Sequence, residues 1–69
     1  MNQPDKSTQK SIIENTLKSL ENECYSLSIS AEAFKTVGLT ERAEAFAKQL
    51  ADAMKLHAFY TTKLNELAE

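Results

Sequence analysis

Two side chains in this sequence could attack a carbon or relay a proton near neutral pH: the single cysteine, Cys24, and the single histidine, His57. Brought together by a fold, a thiol and an imidazole form a nucleophile pair, and an imidazole alone can switch charge at ambient pH. Each has a plainer reading. Cys24 stands between Glu21, Glu23 and apolar neighbours, with no cation to draw out a thiolate, so it reads as small core filler. His57 falls on an apolar seam, where a polar residue sets register between paired helices.

The ten carboxylates are no richer in chemistry. No Glu-x-x-His pair occurs, so a di-iron bundle site lacks its imidazole ligands, and one His with one Cys is too few for structural zinc. Glu14 and Glu21 share one flank of a helix and read as solubilising charges. We therefore expect no catalytic residue, no metal, no cofactor and no small-molecule substrate, and a protein that is not an enzyme.

The elements that must position these residues are organised around Phe34-Lys35-Thr36-Val37-Gly38-Leu39-Thr40, which holds the only glycine. Gly38 adopts a left-handed conformation without steric cost and reads as the residue just past a helix end, with Phe34 and Leu39 as the apolar pair of a Schellman ending. Thr40 is the expected N-cap of the next helix, followed by Glu41 at the positive end of its dipole.

Before the turn, Ile13, Leu17, Leu20, Cys24, Leu27, Ala31 and Phe34 recur in alternating steps of four and three. After it, Ala43, Phe46, Leu50, Ala53, His57, Tyr60, Leu64 and Leu67 do the same. Such stepping marks helical seams. Folded about Gly38, the seams meet in register from Phe34 with Ala43, through Leu27 with Leu50, to Ile13 with Leu64. Each phenylalanine near the turn then faces an alanine, as interdigitated packing requires. The expected fold is all-α: an antiparallel two-helix hairpin, helical over about 11–37 and 40–68, completing a four-helix bundle by dimerisation or with a partner. Ser11-Ile12-Ile13-Glu14 fits a capping box for the first helix. Residues 1–10 are expected to be a flexible polar tail and 11–69 the hairpin.

The string Leu27, Ala31, Phe34, Gly38, Ala43 is similar to part of a tetratricopeptide repeat. Ala47 and Leu50 stand where that pattern next needs an aromatic and then a small residue, so the likeness is one of shared hairpin packing.

At 69 residues and with one cysteine, the chain is near the lower size limit for a stable core and has no internal disulfide, which leaves oligomerisation as the staple. Tyr25, Ile29, Met54, Leu56 and Phe59 lie off the seam and form the expected interaction surface. A homodimer or a heterologous protein is the expected partner. With a net charge of −2 and dispersed lysines, nucleic acid is a poor partner. No apolar run is long enough for a membrane, and the lone thiol suits a reducing compartment, so the expected location is cytoplasmic. The expected function is a small non-catalytic interaction module: an adaptor, inhibitor or regulatory subunit. The alternatives are a secretion-type co-chaperone and a dimeric helical-bundle RNA-binding regulator, the second of which needs a basic face.

Overall fold

A computed structural model describes residues 2–68; the expected tail and hairpin bounds at 1 and 69 lie outside them. The described chain is two α-helices packed against each other, α1 (Lys6–Thr36) and α2 (Thr40–Ala68). Every seam residue named above from Ile13 to Leu67 is buried or half-buried. Leu17, Leu20, Leu27, Ala43 and Ala53 are the most enclosed. The antiparallel hairpin is thus the observed fold, with one seam as its core.

The turn has the expected ending. Gly38 sits at φ +85°. The Leu39 N–H donates to the Phe34 carbonyl at 2.8 Å and the Gly38 N–H to the Lys35 carbonyl at 3.1 Å. These are the two bonds of a Schellman motif, and they satisfy carbonyls that the last helical turn leaves unpaired. One detail differs. The Leu39 carbonyl accepts the Ala43 N–H at 3.0 Å, so Leu39 holds the cap position and Thr40 is already helical. The same Leu39 therefore ends one helix through its N–H and starts the next through its C=O.

The start of α1 also differs from expectation. The helix begins at Lys6, not at Ser11, because Asp5 caps it: the Thr8 N–H donates to the Asp5 carboxylate at 2.8 Å. An aspartate cap followed by a polar first turn carries no apolar period, so the Ser11 capping box looked like the first start. Pro4 stands ahead of the helix, and its carbonyl accepts from the Gln9 side chain at 2.6 Å. No helix of the described residues is long and apolar enough to cross a membrane.

Near the turn, the two phenylalanine rings also meet each other. The Phe34 and Phe46 rings lean along the seam until their centroids are 5.1 Å apart, tilted by 34°. Ala43, close to both in the seam, is 7% exposed. Two rings in neighbouring layers gain more from each other than from an alanine methyl.

The molecule measures 50 × 22 × 14 Å. It is one helix thick, so each helix has both broad sides in solvent.

Candidate interaction faces

The polar layer on the seam is where chemistry would be found. Its imidazole is half-buried, with Nε2 3.1 Å from a carboxylate oxygen of Glu21. A carboxylate only accepts, so the geometry places a proton on Nε2. The Thr61 hydroxyl donates to the His57 carbonyl at 2.9 Å and stands 3.5 Å from Nδ1. His57 is thus a seam residue with one open edge, tied to α1 through Glu21. That partner was not legible in the sequence, because Glu21 falls on a flank and the pair crosses between helices.

Glu21, Cys24, Met54, His57 and Ala58 line one shallow groove. Cys24 is half-buried in its floor. Among the described residues no three His, Cys, Asp or Glu side chains converge to hold a metal ion.

The expected interaction residues are all exposed, but the fold does not gather them into one patch. A helix advances about 100° per residue, so residues seven apart share a column. Tyr25 shares a column with Lys18 and Glu32, which line grooves on the same broad face as Met54. Leu56 and Phe59 lie on the opposite broad face, and Ile29 on the outer edge of α1. Exposure is 70% for Tyr25, 59% for Met54 and 54% for Phe59. Ile12 belongs with Leu56 and Phe59, 53% exposed; sequence reading missed it because it adjoins the seam residue Ile13.

Along α2 the two faces differ in charge. The Leu56 and Phe59 face also carries Arg42, Asp52, Lys63 and Glu66. Lys63 lies 5.8 Å over the Phe59 ring and 3.5 Å from Glu66, so its cation and its stem partly cover that ring. On the Met54 face, α2 presents Ala47, Ala51, Met54, Ala58, Thr61, Asn65 and Ala68, again stepping by four and three, without one charge. Of this stripe Met54 stands out in sequence, whereas Ala51, Ala58 and Asn65 do not, since alanine and asparagine add little to a hydropathy pattern.

At the N-terminal end, the titration of Asp5 is displaced. The Thr8 backbone N–H, and then the Thr8 hydroxyl, hold its carboxyl below the usual value, against a smaller opposing effect of burial.

Comparison with known protein families, with curated proteins and with solved structures finds no match to this chain.

Proposed function

We propose that this protein is a small, non-catalytic helical interaction module, an adaptor, inhibitor or regulatory subunit that acts by presenting helix faces to another protein surface. One observation carries the reading. Tyr25, Ile29, Met54, Leu56 and Phe59, all large and apolar, are between 44% and 70% exposed on a molecule one helix thick. So many wet apolar side chains on so small a fold are what binding surfaces look like before they bind. The grooves beside them are open and shallow, whereas a substrate site encloses most of its ligand.

The test is binding measured against surface variants. Met54→Lys and Phe59→Lys each place a charge on one broad face while leaving the seam intact, so helix content should persist by circular dichroism. Loss of self-association or of partner capture in at least one of them is the expected result. Full retention in both, or a stoichiometric metal or cofactor in the purified protein, would overturn the reading. A salt-sensitive shift of RNA would replace it with the nucleic-acid alternative.

A further inference from the structure

We propose that a second copy of this chain occupies the Met54 face, with α2 lying antiparallel on α2 of the partner subunit to form a four-helix bundle. The proposal deepens the interaction reading above and rests on it.

The area argues for an occupant of this size. The chain exposes 5474 Å². A compact monomer of 7.7 kDa exposes about 4,300 Å². The surplus of about 1,100 Å² exceeds the roughly 800 Å² per partner that a standard interface covers. One broad face of a hairpin 50 Å long and 22 Å wide can supply that much.

Both faces of α2 lie at about the angle a bundle needs, and the charge along α2 chooses between them. Around α2, the direction of the Ala47–Ala68 stripe lies about 100° from the seam that holds α1. A helix in a square four-helix bundle meets its two neighbours at nearly that angle. The stripe is free of charge from Ala47 to Ala68, and its alanines let two helix axes approach to about 8 Å. On the opposite face α2 carries four charges, so a contact of α2 on α2 there would bury them.

Charge also fixes which helix lies on which. The matching strip of α1 holds Glu14, Lys18, Glu21, Glu32 and Lys35. If α2 lay on α1 of the partner subunit, the charge-free stripe would desolvate these groups without pairing them. With α2 on α2, like surface meets like. Met54 then meets Ala58 of the partner subunit, Ala51 meets Thr61 of the partner subunit, and Ala47 meets Asn65 of the partner subunit. The two-fold repeats each pair. The α1 strips face each other with both signs interspersed: Glu21 meets Glu21 of the partner subunit on the two-fold, and Lys18 of each copy lies within about one helical turn of that pair. A closed two-fold of this kind uses one patch twice.

The experiment compares neighbouring positions on opposite faces. In a Cys24→Ser background, Ala58→Cys and Phe59→Cys are each treated with a short bismaleimide at micromolar concentration. Covalent dimer is expected for most of the Ala58→Cys protein and only a trace of Phe59→Cys. Independently, Ala51→Glu should weaken dimerisation by roughly 100-fold in sedimentation equilibrium, with helix content retained at high concentration. Phe59→Lys should leave the dimer mass unchanged. Cross-linking at Phe59→Cys but not Ala58→Cys, or a dimer indifferent to Ala51→Glu, overturns this face and leaves self-association standing. A mass of 7.7 kDa at every concentration overturns the second copy as occupant, and the interaction reading is then decided by capture of a different protein.

Discussion

At the scale of single residues, Gly38 and Asp5 do the most for their number of atoms. A Cβ added at Gly38 would meet nothing within 4 Å, so the cost of Gly38→Ala is the positive φ alone. That substitution should destabilise the hairpin by about 1 kcal/mol in urea unfolding; unchanged or raised stability would remove the glycine's special role. Asp5 makes a pH prediction whose sign follows from its bond to Thr8. The folded carboxyl titrates below its unfolded value of 3.8. Its support for the helix start is therefore fully present above that value and is lost as pH falls through the folded one. Secondary chemical shifts over Lys6–Lys10 should report fraying in that acid window. Asp5→Asn should keep the cap and flatten the response, while Asp5→Ala should fray the first turn at every pH. Persistence of the first turn in Asp5→Ala would show that the cap is dispensable.

At the scale of elements, the seam between α1 and α2 holds most of what can be broken. Leu27 is 9% exposed, and the seam register expected from the sequence sets it opposite Leu50. Truncating Leu27 to Ala should cost roughly 2–5 kcal/mol, and a double-mutant cycle should couple it to Leu50 and not to Leu64. Coupling to Leu64 would mean a different register. The seam was legible in sequence because fifteen positions keep one step pattern on both sides of one glycine. The rest was hidden for identifiable reasons. The first turn of α1 is polar all round, so only the Asp5 cap marks it. The ring pair of Phe34 and Phe46 joins adjacent layers, which facing-pair reasoning does not see. The second stripe of α2 is mostly alanine, and the Glu21 partner of His57 lies on the other helix. The sequence also marked the exposed apolar residues as a set but not their division between two faces, which depends on how the helices lie side by side.

At the scale of the whole molecule, thinness dominates. A body 14 Å thick encloses one seam, and its stability should depend on what lies against its sides. If copies associate, the melting midpoint should rise with protein concentration, because mass action favours the folded dimer. Calorimetry over a tenfold or wider range of concentration checks this directly. A midpoint that does not move would assign the exposed faces to a different protein.

The bend from Val37 to Leu39 has one more consequence, which concerns how the chain is destroyed. Proteases bind extended backbone, and hairpins are usually clipped at a slack connecting loop. Here the Val37, Gly38 and Leu39 N–H groups are all committed to carbonyls of the preceding turn. With no slack there, digestion has to begin where helix ends fray. Limited proteolysis should therefore shorten the chain progressively from its ends, and two half-length helices should not accumulate.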